Sequence, residues 1–199
     1  MSKHQTAVIA QLRPTQLTIG KLEVEEKKQR LAAMKPKEQE KFLQAHPMPA
    51  VIGPDKALYI TDHHHLARAA LEANVQTACF MVEADLSKLK APQDFWLEMD
   101  TRLWVHPLDE NGVRHHYSSI PYHLMDLVDD VYRSLAGYVR DAGGYEKTPT
   151  AFAEFIWADY FRRNVAIEDV RANFHDAVKA AKKLARSPHA KGIPGYIGK

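Results

Sequence analysis

The sequence predicts an α+β fold, in which a small mixed sheet is followed by a helical C-terminal half. Short β-branched apolar runs alternate with helical segments in the first half of the 199 residues. The second half instead carries three long amphipathic segments whose apolar residues recur at the 3.6-residue spacing of a helix. We therefore expect an α+β domain over residues 1–90 and a helical extension packed on it over residues 91–199, with the boundary near residues 89–92.

The elements of the first half follow from apolar runs, helix-forming segments and the turn residues between them. The turn from Gly53 to Lys56 separates two short strands and predicts a hairpin. Pro36 ends one helix, and Asn74 ends another. In chain order we predict a strand at 6–12, a helix from 24, a helix at 37–45, strands at 50–52 and 57–60, a helix at 64–74 and a strand at 75–84.

The second half is predicted to be helical around one polar loop. A helix at 92–104 precedes the loop at 109–121, which contains an Asn-Gly turn. Helices then follow at 122–144, from Pro149 to residue 164, and at 166–187, and the Gly/Pro-rich tail is irregular. One face of the first of these helices carries Leu124, Leu127, Val128, Val131, Leu135 and Tyr138.

The composition excludes several classes of protein. The formal net charge of +2 gives no electrostatic reason to expect a nucleic-acid binder. The single cysteine, Cys79, excludes an intrachain disulfide and a cysteine-rich zinc site. No apolar run approaches the roughly 20 residues that cross a bilayer, and the N-terminal segment lacks a signal-peptide pattern. We expect a soluble, cytoplasmic protein without a membrane partner.

Three consecutive histidines, His63, His64 and His65, follow Asp62 at a predicted strand-to-helix turn. Thr61 or Asp62 can cap the helix that follows. The free N–H groups of the helix, together with the positive end of its dipole, form an anion site. Histidines in the first turn can donate to a phosphate or move a proton near neutral pH. The pattern therefore favours phosphoryl or phosphodiester chemistry.

Two other interpretations of the histidines remain open. Adjacent residues of a helix point about 100° apart, so the three imidazoles cannot all face one metal ion. One of them together with His115 or His116 from the polar loop could still bind an ion. The third interpretation is structural, because histidine is tolerated at helix starts and one ring can pack against the sheet.

The segments "LRPTQLTIG…EVEEKKQRL" and "HPMPAVIGPDKALYITDHHHLARAAL" resemble the ParB/sulfiredoxin superfamily, and most of all the branch labelled "putative ParB-like nuclease". The likeness covers about residues 6 to 84. The segments "PYHLMDLVDDVYRSLA" and "EFIWADYFR" resemble the helical extension of that branch. The resemblance implies a small mixed-sheet ParB/sulfiredoxin-like domain that binds nucleotide or phosphate at the turn before the helix.

The turn pattern of the superfamily, "D-G-H-H-R", can be placed on this sequence residue by residue. Asp62, His64 and His65 stand at the D, H and H of the pattern. His63 stands where glycine is usual, and Leu66 stands where arginine is usual. The missing arginine puts conventional triphosphate binding in doubt, and Arg68 is the candidate to replace it.

Gln16 stands where the serine-kinase relatives in this superfamily have a glutamate base. An amide cannot take a proton at neutral pH, although it can orient a substrate or a water. A base would therefore have to come from Asp62, His64, Glu23 or Glu25.

We expect a phosphate-directed protein of the ParB-like nuclease branch that binds a nucleotide or phosphodiester at the histidine turn. The residues expected to catalyse are Asp62, His64 and His65, and those expected to bind the substrate or its phosphate are Arg13, Gln16, His63 and Arg68. A nucleotide would bring Mg²⁺, and no separate protein metal site is expected.

Two alternatives are an amino-acid-type small-molecule kinase that uses ATP or ADP, and a non-catalytic nucleotide- or DNA-binding module. A nucleic-acid partner stays open, although the chain lacks a helix-turn-helix reader and a strong basic charge.

Overall fold

The computed structural model describes residues 5–89 and 91–198. The predicted domain boundary near residues 89–92 includes residue 90, which lies outside the described residues. The strands are β1 (Gln5–Val8), β2 (Thr18–Ile19), β3 (Met48–Ile52), β4 (Leu58–Ile60), β5 (Thr77–Asp85) and β6 (Val128–Asp129). The α-helices are α1 (Lys21–Ala32), α2 (Pro36–Ala45), α3 (His64–Glu72), α4 (Pro92–Thr101), α5 (Val131–Asp141), α6 (Ala153–Asn164), α7 (Ile167–Ala172) and α8 (Phe174–Ala185).

The main sheet has four strands in the order β1-β5-β3-β4 and is mixed, as predicted. Strand β5 is antiparallel to β1 and parallel to β3. Strands β3 and β4 form the predicted antiparallel hairpin, with Ala50 opposite Ile60. Helix α3 follows β4 after a three-residue turn, so the end of β4 fixes where the histidines lie.

The described residues form three hydrophobic cores, of which one, around Val51, Phe95 and Met99, joins the two halves of the chain. The core of the first half joins the sheet to α1 and α3, and includes Ile9, Ile19, Leu31, Met48, Ile60 and Ala70. The core of the second half surrounds Trp157, Phe161, Leu135 and Tyr145. The predicted fold class, a small mixed sheet followed by a helical extension, is confirmed.

The helix predicted over 122–144 begins only at Val131, so its N-terminal third was wrong. Leu124 lies in a 3₁₀ turn, and Val128 belongs to β6, which pairs in parallel with β2. Leu124 and Leu127 are buried in the core of the first half. The Asp130 carboxylate then caps α5 by accepting from the Tyr132 N–H at 2.9 Å. Tertiary pairing has overridden the helical periodicity of this segment.

Other boundaries also differ from the prediction: α1 begins at Lys21 and not at residue 24, and α4 ends at Thr101 and not at residue 104. Strand β1 ends at Val8, and a 3₁₀ turn follows it. Helix α6 begins at Ala153 and not at Pro149. The helix predicted over 166–187 is divided into α7 and α8 at Asn173, whose side-chain oxygen accepts from the Asp176 N–H and caps α8. Within the described residues, no helix is long and apolar enough to span a membrane.

Candidate functional site

The turn between β4 and α3 leaves the start of α3 without a side-chain cap. The N-cap residue is His63, whose backbone is left-handed (φ 63°, ψ 22°). Its N–H donates to Asp62 Oδ1 at 2.6 Å, and the Thr61 hydroxyl donates to Glu83. The predicted capping by Thr61 or Asp62 was therefore wrong. The first N–H groups of α3 remain available to an anion, as at any uncapped helix start.

The left-handed backbone at His63 explains a feature of the turn pattern. Glycine adopts positive φ without steric cost, whereas a side chain there costs about 1–2 kcal/mol. The usual glycine of the "D-G-H-H-R" pattern stands at this position. His63 therefore keeps the backbone shape of the pattern and adds an imidazole to the turn.

His64 is buried and serves as a hydrogen-bond acceptor. Its Nε2 accepts from the Thr15 N–H at 3.1 Å, while the Thr15 hydroxyl donates to the Ile60 carbonyl at 2.8 Å. Because a backbone N–H can only donate, Nε2 carries no proton, and the proton of the neutral ring is on Nδ1. Burial lowers the pKa of His64 to about 3.

His65 has the same arrangement one residue later. Its Nε2 accepts from the Gly20 N–H at 3.0 Å, and burial lowers its pKa well below the ordinary value. Nε2 also lies 3.7 Å from Glu23 Oε1, but a neutral imidazole forms no ion pair there. Both imidazoles are therefore neutral near pH 7, with Nε2 already occupied. This geometry suits hydrogen-bond donors at Nδ1 better than the proton-moving role expected for His64 and His65.

A cavity of about 710 Å³ opens at the start of α3. It is lined by residues 61–66, by Gln16, by Glu23, Lys27 and Arg30 of α1, by Phe42 and His46, by Leu103, by Arg133 and Arg140 of α5, and by residues 145–155. We call it the DHHH cavity. Both halves of the chain contribute to its wall, so the helical extension is part of the candidate site.

Arg133 is the most buried cation of this wall, with 4% of its surface exposed. Its Nη2 donates to Glu154 at 3.2 Å, and its guanidinium lies 4.0 Å over the Phe155 ring. Glu154 also pairs with Arg140, so one carboxylate holds two guanidinium groups. Burial lowers the pKa of Arg133, yet the group keeps its charge at neutral pH. Its Nε and Nη1 have no hydrogen-bond partner among the residues that the structure describes.

Unpartnered buried polar atoms are concentrated in the DHHH cavity. Within the described residues, the buried side-chain nitrogens and oxygens without a partner are Glu23 Oε1, His63 Nδ1, and Arg133 Nε and Nη1. All three residues line the cavity. Buried polar groups are nearly always hydrogen-bonded in proteins, and exceptions mark places where a ligand or water completes the bonding. The residues of the cavity wall therefore carry polar atoms that water or a polar guest could satisfy.

The structure brings five of the seven expected site residues together in the DHHH cavity: Gln16, Asp62, His63, His64 and His65. The Gln16 amide there donates to the Thr18 carbonyl at 2.7 Å.

The two expected arginines do not line the cavity. Arg13 pairs with Asp55 at 3.4 Å near the surface and lies over the Tyr122 ring. Arg68 is buried, donating to Glu72 at 2.6 Å and to the Leu124 carbonyl at 2.8 Å. Arg68 therefore joins α3 to the segment around Leu124. It does not replace the arginine that is missing from the turn.

The polar loop does not complete a metal site with the histidines. His115 pairs with Asp109 at 2.9 Å, His116 contacts the Ser118 hydroxyl, and neither lines the DHHH cavity. Within residues 5–89 and 91–198, no group of three or more His, Cys, Asp or Glu side chains has metal-binding geometry.

Sequence reasoning missed Arg133, Arg140 and Glu154. A signal was present in α5, "VYRSLAGYVRD", where an arginine stands among apolar and small residues that are nearly all buried. A lone charge on the buried side of a helix needs a partner, and that partner can be a ligand.

Comparisons with known proteins agree with the fold. The family described as "Putative ParB-like nuclease" matches residues 5–163. Protein Atu1540 from Agrobacterium tumefaciens, known from a crystal structure, is similar at 38% identity and a TM-score of 0.92, over 99% of this chain and 97% of that one. No curated protein matches the sequence.

A weaker similarity is to the C-terminally truncated chromosome-partitioning protein ParB from Caulobacter crescentus, crystallised with CTP-gamma-S. It shows 13% identity and a TM-score of 0.33, over 94% of this chain and 93% of that chain. A likeness at this TM-score carries no argument about the ligand of the present chain.

Proposed function

The chain belongs to the ParB-like family described as "Putative ParB-like nuclease", and from this premise we propose that it binds the phosphate of a nucleotide or related compound in the DHHH cavity. The observation that carries the proposal is the buried guanidinium of Arg133, a residue of the cavity wall whose Nε and Nη1 find no acceptor among the described residues. A buried cation with unused donors is stabilised by an anion.

Three kinds of donor are available to such an anion. The first N–H groups of α3 and the positive end of its dipole attract negative charge. Arg133 supplies charge-assisted hydrogen bonds. The neutral rings of His64 and His65 can donate through Nδ1, since their Nε2 atoms are occupied. Lys27 and Arg140 add positive charge to the same wall.

A phosphate site in this cavity would serve one of three functions. A nuclease would hydrolyse a phosphodiester, an amino-acid-type kinase would transfer phosphate from ATP or ADP, and a binding module would do neither. Glu23 lines the cavity, whereas Glu25 is exposed and pairs with Lys28, so Glu23 is the better placed of the two candidate bases. Mg²⁺ carried by a nucleotide would meet Asp62, with phosphate oxygens and water supplying its other ligands.

Nucleotide binding is tested by thermal unfolding with CTP, ATP and ADP, each with and without Mg²⁺. We expect at least one nucleotide to raise the midpoint of unfolding. Arg133→Gln should weaken the binding of that nucleotide about 10- to 100-fold, because a charge-assisted hydrogen bond contributes about 1.5–3 kcal/mol. Arg171→Gln, on the exposed side of α7, is the matched control. No shift with any nucleotide or with inorganic phosphate would contradict the proposal.

The three uses of the phosphate are then separated by product analysis. Cleavage of plasmid or single-stranded DNA would identify a nuclease. Conversion of ATP that depends on an added amino acid would identify a kinase. Tight binding without either reaction would identify a module.

A further inference from the structure

Glu23 presents an acceptor to the DHHH cavity that nothing in the described residues satisfies. The residue is 6% exposed, and its Oε1 is buried without a hydrogen-bond partner. The other oxygen, Oε2, accepts from Lys27 at 3.2 Å. Buried carboxylate oxygens that accept no hydrogen bond are costly. Oε1 therefore lacks a donor among the described residues, and a guest in the cavity that Glu23 lines could supply one after a small movement of the side chain.

The position of this oxygen depends on a glycine in α5. A Cβ built on Gly137 would lie 2.4 Å from Glu23 Oε1, so only glycine leaves space for the carboxylate there. Gly137 stands one helical turn after Arg133, and residues at this spacing share a helix face. The Glu23 carboxylate therefore packs against α5 about one turn from Arg133, and both residues line the cavity.

The two neighbours that could satisfy Glu23 Oε1 do not. His65 Nε2 lies 3.7 Å away, but it accepts from the Gly20 N–H and carries no hydrogen to give. The Glu23 carboxylate acts electrostatically on Arg133, but within the described residues the two side chains form no ion pair within 4.0 Å, and Arg133 pairs with Glu154 instead. A guest that lies between them has to offer anionic oxygens on one side and a hydrogen-bond donor on the other.

Few small anions meet both requirements. Hydrogen phosphate carries a P–OH beside its charged oxygens, and so does a phosphate monoester near its second pKa of about 6. Sulfate and phosphodiesters have no such hydrogen at neutral pH. A carboxylate facing them meets only negatively charged or ester oxygens, which repel it.

We propose that Glu23 makes the DHHH cavity selective for a phosphate that retains a P–OH, either hydrogen phosphate or a terminal phosphate monoester. Arg133 donates to the charged oxygens, and Glu23 Oε1 accepts from the P–OH. This inference rests on the proposed phosphate site. It specifies that the site takes the end of a phosphorylated compound and excludes the internal phosphodiester of a nucleic acid.

The test compares two tetrahedral anions of similar size, of which only phosphate retains a hydrogen at pH 7. Isothermal titration of the full chain with phosphate and with sulfate, at pH 7 and equal ionic strength, gives both dissociation constants. We expect phosphate to bind at least about tenfold more tightly than sulfate, because only hydrogen phosphate can donate to Glu23. At pH 6, methyl phosphate should likewise bind more tightly than dimethyl phosphate.

Glu23→Gln tests the residue itself. Its amide can donate to sulfate, so the ratio between the two anions should fall to about threefold or less. Glu40→Gln, on the exposed side of α2 and outside the cavity wall, should keep the wild-type ratio.

The results separate this inference from the proposed function. Equal binding of phosphate and sulfate by the wild type, or an unchanged ratio in Glu23→Gln, overturns the selectivity and leaves the anion site standing. Absence of binding by either anion or by methyl phosphate overturns both.

Discussion

Acid should destabilise this protein through His64, whose imidazole is held neutral in the folded state. Burial lowers its pKa to about 3, whereas an unfolded histidine has a pKa near 6.5. A group whose folded pKa is lowered binds fewer protons in the folded state than in the unfolded state. Its contribution to stability is therefore complete above about pH 6.5 and is lost progressively as the pH falls towards 3.

The size of the loss follows from the same two pKa values. Between them, the unfolded imidazole is protonated and the folded one is not, which costs about 1.4 kcal/mol for each pH unit. At pH 5 the loss from His64 alone is about 2 kcal/mol, and a small domain has only about 5–15 kcal/mol of stability in total. Protonating the folded ring instead would break the Thr15 N–H bond to Nε2.

Urea denaturation at pH 7, 6 and 5 measures this loss in the wild type and in His64→Gln. Glutamine places an amide oxygen where Nε2 accepts from Thr15, and it does not titrate. We expect the variant to be less stable than the wild type at pH 7, but to lose about 2 kcal/mol less between pH 7 and pH 5. His175→Gln, which removes an exposed imidazole of α8, should follow the wild type.

One outcome of the comparison between the wild type and His64→Gln would refute this reasoning. If His64→Gln and the wild type lose the same free energy of unfolding between pH 7 and pH 5, then His64 titrates normally in the folded state. The neutral, acceptor form of the ring would then be wrong, and with it the assignment of the proton to Nδ1.

Three further substitutions test other parts of the structure by urea denaturation, with phosphate titration as the second measurement. Gly20→Ala should lower the free energy of unfolding by about 1–3 kcal/mol, because the new Cβ would lie 2.7 Å from the backbone nitrogen of Ser134; unchanged stability would contradict this close approach. Arg68→Met should cost about 1–3 kcal/mol by leaving the buried Leu124 carbonyl without a donor, while phosphate affinity stays the same; weakened phosphate binding would return Arg68 to the site. His63→Gly should raise the free energy of unfolding by up to about 1 kcal/mol by relieving the left-handed backbone, and a loss of stability would count against that strain.

Local patterns were sufficient for the first half of the fold. The hairpin between Ala50 and Ile60, the end of α3 near Asn74 and the strand β5 each depend on residues close in sequence, namely turn formers and β-branched runs. The histidine turn was found for the same reason, since a strand, a polar turn and a helix are adjacent along the chain.

Contacts between residues far apart in the sequence determine the parts of the fold that local patterns did not predict. Leu124 and Leu127 fit the apolar face of a predicted helix, but they are buried against the first half, and Val128 pairs with Thr18 in a strand. Periodicity predicts that a residue will be buried, but it does not identify the residues that it will pack against. The segment between the polar loop and α5 therefore had a helical pattern, although it forms a 3₁₀ turn at Leu124–Asp126 and a short strand at Val128–Asp129.

The candidate site likewise combines residues that are adjacent in the sequence with residues that are far apart in it. Asp62 to His65 were visible because they are consecutive, whereas the donors and acceptors left open around them come from two helices far apart in the chain. The Leu22 N–H donates to the Ser134 hydroxyl across 112 residues, and this contact between α1 and α5 brings Glu23 beside Arg133. A buried carboxylate and a buried guanidinium that do not satisfy each other are unfavourable in an empty protein. The proposed guest, which is anionic and donates a hydrogen bond, would satisfy both groups, and in that proposal the helical extension contributes to the site because it supplies Arg133.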